Sequence, residues 1–373
     1  MRVLVLNAGS SSLRASVIDT PETTRAFTKL EWGSDATLTD NREGRIHAAL
    51  EELERLGAPL ESFDAVGHRV VHGGTQFVET TLVDDRVLAG ILAASALAPL
   101  HNTVALDTIR AAQHLLPRIP HVAAFDTAFH ATMEPAAYRY PVPEAWFTDW
   151  GVRRFGFHGL SVEWAVRHVG AWLGQGSHAL VVAHLGSGCS VTAVLDGRSV
   201  QTSMGMTPLE GLMMGTRSGS VDPGMLMRLL VEGKVEAAAM ESALEHDAGM
   251  LGVSGVSGDL REVEAAAARG DERATLAVEM FTRRAAAAIG SAATALPRVD
   301  AIVFTGGIGE NAGQVRAAIV RRLGSLGFDF QPPARIAGLK PDAILESSMA
   351  PAIAVIEARE DLVIAGDAAR LLA

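Results

Sequence analysis

The sequence predicts an α/β protein with two domains. Three observations carry that prediction. Apolar runs of strand length recur along the chain, and segments with helical spacing lie between them. The chain has 373 residues, more than one hydrophobic core ordinarily serves. Two distant stretches also repeat one architecture: an apolar run, a Gly-Ser turn, a second apolar run and an aspartate.

The strand-length runs are Val3–Leu6, Ala65–Val71, Val122–Phe125, Leu180–Ala183, Val191–Leu195, Ala301–Phe304 and Ile353–Ile356. Several contain few polar residues, as strands covered on both faces do. In "NREGRIHAALEELERLG", Ile46, Ala49, Leu50, Leu53 and Leu56 fall at helical spacing and Gly57 is a stop signal. "DERATLAVEMFTRRAAAAIGSAATALP" reads as one long helix ended by Pro297, with alanines that permit close packing. The repeat sets "GSSSLRASVID" (Gly9–Asp19) over "GSGCSVTAVLD" (Gly186–Asp196). It predicts two related halves, each opening with a hairpin whose turn faces a common cleft.

Hydrophobic residues make up 48% and charged residues 20%, a globular balance. A net charge of −11 argues against a nucleic-acid surface, but a local arginine cluster can still meet a nucleotide. Cys189 is the one cysteine, so no intrachain disulfide forms, which fits a reducing cytoplasm. The apolar run in "MRVLVLNAGS" is too short for a signal peptide, and "GILAASALAPL" is well below the ~18 residues of a membrane span. A soluble cytoplasmic protein is expected.

Three small-residue loops follow strands: Gly9–Ser12, Gly186–Gly188 and the glycines of "AIVFTGGIGEN" (Ala301–Asn311). Each reads either as a plain turn or as a backbone cradle for phosphate. The polar residues around them have two readings as well. Arg69, in the apolar strand of "VGHRVVHGG", is a structural salt-bridge partner or a bidentate clamp for carboxylate or phosphate. Arg217, in "GMTPLEGLMMGTRSGSVDPG", sits in a small-residue loop where packing gives little reason for an arginine. Asp126 ends the strand of "AAFDTAFHATM", where α/β sheets place ligands, or it caps a helix. His158 in "RRFGFHGLS" is a core histidine or a ligand contact, and His184 stands at the mouth of the second loop. Glu360 opens the last helix, where a carboxylate suits the helix dipole. Together these residues form a kit for phosphoryl transfer: cations to offset charge, oxygen ligands for a metal, and loops for phosphates. No P-loop or zinc-site spacing is present.

At these residues the chain resembles the acetate kinase family. The matching blocks run in order along nearly the whole length: "LNAGSSSLR", "GHRVVHGG", "LAPLHN", "AFDTAFH", "RRFGFHGLS", "VAHLGSGCS", "MTPLEGLMMGTRSG", "GVSGDLRE", "VFTGGIGEN" and "AREDLVIA". The resemblance implies two ribonuclease H-like domains facing a central cleft, as in the acetate and sugar kinases, chaperone ATPases and actin. It implies an N-terminal domain of residues 1–130 plus 362–373 and a nucleotide-binding domain of residues 131–361. The implied reaction is reversible in-line phosphoryl transfer from ATP to acetate. The alternatives are propionate or another short-chain acid, or another phosphate donor.

The resemblance also assigns roles. Asn7 and Glu360 would position Mg2+, or Mn2+ in its place. Arg69 and Arg217 would grip the acid's carboxylate and then the transferred group. Asp126 would orient the substrate, and His158 would hydrogen-bond the phosphoryl group. Val71, Leu100, Phe157 and Pro208 would line the pocket for the acid's methyl group. Arg14, His184, Leu185, Gly186, Ser187, Gly188, Asp259, Leu260, Arg261, Gly307, Ile308, Gly309 and Asn311 would line the nucleotide site. A homodimer acting on small molecules, with no nucleic-acid or membrane partner, is implied. The chain departs from the family pattern at Arg14, where Lys is usual, at Ser187 for Asn, at Ser220 for Asp and at Gly306 for Ala. Val162 and Trp164 also differ from the residues usual after "GLS".

Overall fold

The structure is a computed structural model that describes residues 1–9, 12–31, 42–174, 176, 178–328, 330–347 and 351–373, without the side chains of residues 99 and 100. The chain divides into two compact units. The first comprises Met1–Ala131, Phe157–Trp164 and Arg359–Ala373; the second comprises Thr132–Gly156 and Ala165–Ala358.

The first unit is built on β1 (Arg2–Ala8), β2 (Ser12–Asp19), β3 (Thr23–Glu31), β4 (Ala65–Val70), β5 (Thr81–Leu82) and β6 (His121–Phe125). Their order in the sheet is β3-β2-β1-β4-β6-β5. The first three form an antiparallel meander, β1, β4 and β6 run parallel, and short β5 closes the edge antiparallel to β6. The second unit contains β7 (Ala179–Leu185), β8 (Cys189–Leu195), β9 (Arg198–Thr202), β10 (Ala301–Thr305), β11 (Ala343–Leu345) and β12 (Ala352–Val355). Their order, β11-β12-β10-β7-β8-β9, is the same topology read from the other edge. Again a meander leads, β7, β10 and β12 run parallel, and β11 closes the edge antiparallel to β12. The sequence repeat is therefore a repeat of topology. Its two aspartates sit at matching ends of the two hairpins. Asp19 pairs with Arg2 across β1 and β2, and the Asp196 N–H donates to the His178 carbonyl at 2.9 Å.

Burial explains which runs were visible as strands. All five residues of β6 and all five of β10 are buried, the pattern of strands covered on both faces. β3 instead alternates, with Ala26 and Thr28 inward between exposed neighbours. It has no continuous apolar run, and the run-based reading passes over it.

The helix Arg42–Arg55 buries Ile46, Ala49, Leu50 and Leu53 against Leu4, Leu6, Leu13 and Val17 of the first sheet. Leu56 departs from the expected stripe. The helix has ended, Gly57 turns the chain at φ 89°, and Leu56 is 49% exposed. The C-terminal helix Glu360–Leu372 packs on β1 and β4. Gly67 lets it approach closely, since a Cβ there would stand 2.5 Å from Ile364 Cγ2. In the second unit Asp271 caps the helix Glu272–Ala293, accepting from the Ala274 N–H at 2.9 Å. The alanine-rich face of that helix lies on β7 and β8. The helix stops before Pro297, which corrects the expected end. The Thr294 Oγ1 hydroxyl donates to the Ser291 carbonyl at 2.7 Å and closes the last turn.

Candidate active site

Four polar side chains converge in the first unit, all at the C-terminal ends of its parallel strands or beside them. Arg69 comes from β4, Asn7 from β1, Asp126 follows β6, and Glu360 opens the C-terminal helix. Arg69 grips Asp126 in bidentate fashion, Nε to Oδ1 at 2.9 Å and Nη2 to Oδ2 at 2.6 Å. Its Nη1 donates to Asn7 Oδ1 at 3.2 Å, and Asn7 Nδ2 donates to Glu360 Oε2 at 2.8 Å. Glu360 Oε2 lies 3.5 Å from Arg69 Nε. Among the described residues, three of the five guanidinium N–H groups are thus occupied, leaving one on each Nη for a ligand.

The electrostatics follow from burial and pairing. Burial alone would lower the Arg69 pKa, but Asp126 and Glu360 outweigh it and hold the group above the ordinary arginine value. Burial pushes the Asp126 carboxyl upward against the pull of Arg69, and Glu360 adds to that rise. The Asp126 side chain is 1% exposed, so an arginine that cannot deprotonate is its natural partner.

The turn at residues 157–159 wraps tightly around Asp126. The His158 backbone N–H bonds to the Asp126 carboxylate, and the Gly159 N–H donates to its carbonyl at 2.9 Å. His158 takes the left-handed conformation with φ 58°, uncommon for a residue with a side chain. A Cβ at Gly159 would lie 2.2 Å from the Asp126 carbonyl oxygen. Phe157, within this turn, and Val71 are buried, and the Phe157 ring stands edge-on to His72 at 5.4 Å. Leu100 stands in the helix Pro99–Leu115, and its side chain is not among those described. Arg14 is exposed on β2 as the cross-strand partner of Asn7. Ser10 and Ser11 of the first loop lie outside the described residues.

Asn7 Oδ1 and the Glu360 carboxylate are the oxygen type that Mg2+ takes, although Asn7 turns its Nδ2 to Glu360 and its Oδ1 to Arg69. Among the described residues no group of three or more His, Cys, Asp or Glu clusters as a metal cage.

The second unit carries the other glycine loops. His184 is the penultimate residue of β7, and the turn Gly186–Gly188 leads into β8 with the Gly186 N–H donating to the Gly188 carbonyl at 3.0 Å. The Leu185 side chain is buried in the core. The Gly215 N–H donates to the Ser187 carbonyl at 3.0 Å, a backbone tie that does not depend on the Ser187 side chain. Gly306 opens the short helix Gly306–Asn311 at φ 78°, where a Cβ would be 2.7 Å from the Leu185 carbonyl oxygen. That conformation gives a physical reason for glycine at 306. A Cβ on Gly186 would be 3.9 Å from the Gly307 nitrogen, so these two loops adjoin. Ile308 and Gly309 belong to the same helix. Gly309 is buried near Phe304 of β10, and Asn311 Nδ2 donates to the Gly307 carbonyl at 2.9 Å.

Gly258 packs on Gly215 and introduces Asp259, which caps the helix Leu260–Ala268 by accepting from the Arg261 N–H at 2.9 Å. The Arg261 guanidinium pairs with Asp259 at the surface, and Leu260 is buried beneath. Arg217 Nη1 donates to the carbonyl of buried Pro208 at 3.4 Å. Burial lowers its pKa and Glu245 opposes that. Ser220 Oγ accepts from the Gly211 N–H at 3.1 Å and helps close the Arg217 loop.

A profile described as the Acetokinase family matches residues 2–366. The chain belongs to the acetokinase family. It is 45% identical to an acetate kinase of Deinococcus deserti, over 100% of this chain and 98% of that protein. It is 41% identical to a propionate kinase of Edwardsiella piscicida, over 99% and 96%. The crystal structure of Porphyromonas gingivalis acetate kinase matches with a TM-score of 0.88 at 34% identity, covering all of both chains. A propionate kinase from Francisella tularensis matches at 0.88 and 36%, covering 98% of each. The α/β architecture with two mixed sheets is thus the fold of solved acetokinase-family structures.

Around this candidate site, two supporting groups were passed over in the sequence. Asn102 and His72 clasp each other through backbone: the His72 N–H donates to Asn102 Oδ1 at 3.0 Å, and Asn102 Nδ2 donates to the His72 carbonyl at 2.9 Å. His130 is fully buried and bonds to the Phe157 carbonyl. Both lie inside segments already singled out, "LAPLHN" and "AFDTAFH". The usable signal was a polar residue in a stretch that is otherwise apolar.

Proposed function

We propose that this chain is an acyl kinase that transfers a phosphoryl group reversibly between ATP and acetate, giving acetyl phosphate and ADP. The observation that carries the reading is the Arg69–Asp126–Asn7–Glu360 cluster at the strand ends, with two guanidinium N–H groups left for an anion.

A carboxylate is already a nucleophile, so catalysis rests on positioning and charge neutralisation, not on a strong base. Arg69 binds the acid through its remaining donors, and Asp126 holds that guanidinium in one orientation. Arg217 supplies a second cation for the transferred group. His158 hydrogen-bonds the phosphoryl oxygens in the in-line transition state. Val71, Leu100, Phe157 and Pro208 receive the methyl group. Asn7 and Glu360 hold Mg2+, which when bound supplies positive charge to the phosphate oxygens. The loops at 184–188, 259–261 and 306–311 take the nucleotide.

Propionate is the second reading. Relatives named propionate kinase match at 41% and 44% identity, and a pocket separates acids differing by one methylene by only ~1–3 kcal/mol. We propose cytoplasmic operation as a homodimer. Among the described residues no helix is long and apolar enough to cross a membrane. The helix Pro223–Val231 has no buried residue and exposes Met225, Met227 and Val231, apolar surface that a second copy would cover.

The test is to trap acyl phosphate with hydroxylamine, using acetate, propionate or butyrate with Mg-ATP, GTP or pyrophosphate. Hydroxamate from acetate and ATP, lost in Arg69→Ala, is the expected result. No hydroxamate from any pair overturns the reading.

A further inference from the structure

Three consecutive residues, Phe157, His158 and Gly159, are gripped by one short segment. Asp126 accepts the His158 N–H on its carboxylate and the Gly159 N–H on its carbonyl, the latter at 2.9 Å. Four residues after Asp126, His130 Nε2 bonds to the Phe157 carbonyl at 2.9 Å. A carbonyl only accepts, so Nε2 carries the proton. Burial pushes the His130 pKa down to about 4, so the ring stays neutral and keeps that proton arrangement near neutral pH. Between these anchored flanks His158 is held left-handed at φ 58°. Such a backbone persists only where its surroundings over-determine it, and here the surroundings are Asp126 and His130.

We propose that His130 is a positioning residue for His158: its hydrogen bond to the Phe157 carbonyl fixes the turn that sets where the His158 imidazole stands. The inference rests on the reading of His158 given above. It predicts that His130 acts on catalysis through His158 and not through the stability of the unit.

The experiment is a double-mutant cycle on the full chain, read by hydroxamate kinetics, with thermal melting as a check on folding. His130→Leu is expected to lower kcat by roughly a hundredfold, the order that a 1 Å misplacement costs, with KM for acid and nucleotide held. His130→Gln, whose amide nitrogen reaches close to where Nε2 stood, is expected to restore most of kcat. In a His158→Ala background, His130→Leu is expected to cost nothing further. His130→Asn, whose shorter amide does not reach, is the second loss variant should the leucine variant fail to fold. Additive losses in the cycle, a loss in KM alone, or an unchanged kcat would overturn the proposal. A wild-type chain that makes no hydroxamate would overturn the function beneath it, and this inference with it.

Discussion

Gly159→Ala is the sharpest perturbation that the site offers. The new methyl carbon would stand 2.2 Å from the Asp126 carbonyl oxygen and 2.9 Å from Phe129 Cβ. Ordinary contact begins near 3.4 Å, so the turn and Asp126 must separate by about 1.2 Å. Neither side is the free end of a flexible chain: one is backbone, the other the root of a packed ring. The movement stretches the Gly159 N–H bond to Asp126, now 2.9 Å, and carries His158 with it. Overpacking of this kind costs about 1–3 kcal/mol of stability. The catalytic cost is of similar size, because a displacement near 1 Å between reacting groups costs on the order of a hundredfold in kcat, about 2.7 kcal/mol. Hydroxamate kinetics beside a urea titration would measure both. A variant within twofold of wild-type kcat would refute the argument that this turn must sit where it does.

Four further outcomes are expected. Asp126→Asn leaves the Arg69 guanidinium without its bidentate partner, and such breaks in buried pairs cost about 3–5 kcal/mol, readable as a lower urea midpoint. Folded His68 and His121 are held below the ordinary histidine pKa, by burial first, and so resist protons that the unfolded chain accepts below about pH 6.5. Stability is therefore full above that pH and falls beneath it, by up to about 1.4 kcal/mol per pH unit for each histidine. Replacing both with Leu should reduce the slope between about pH 6.5 and 5 in urea titrations, leaving the share that buried His130 contributes. Cys189, with its thiol pushed up to about 12 by burial, should react with iodoacetamide only after unfolding. Arg14→Lys, at an exposed position opposite Asn7, should change urea stability by less than about 0.5 kcal/mol.

The parallel strands were legible because they are buried on both faces and so are mostly apolar. β3 was not, because it shows one face to water and its alternation carries no long apolar run. Arg69 was legible for the same reason in reverse: a charge in an apolar strand needs a partner. The salt-bridge reading holds, and the Asp126 pair does not use every donor of the guanidinium, so it is compatible with the clamp reading. The glycines of the second unit marked real backbone approaches, and Gly306 is one where the φ angle requires glycine. The left-handed His158 and the His130 strut were not legible. Both depend on residues 126–130 meeting residues 157–159, a contact that no local pattern encodes. Leu56 misled because helical spacing continues one residue past the point where the backbone turns.

Asn7 and Glu360, joined at 2.8 Å, are 353 residues apart in the chain. During synthesis, at ~5–20 residues per second, that interval is roughly 20–70 s. β1, β4 and β6 are all made by Phe125, and from then on they lack the helix that covers Gly67 and the Glu360 carboxylate near Arg69. The unit that starts first thus finishes last, while the second unit is translated as an insertion into an open sheet. A growing chain of this protein carries an uncovered apolar face on β1 and β4 until the helix Glu360–Leu372 is made.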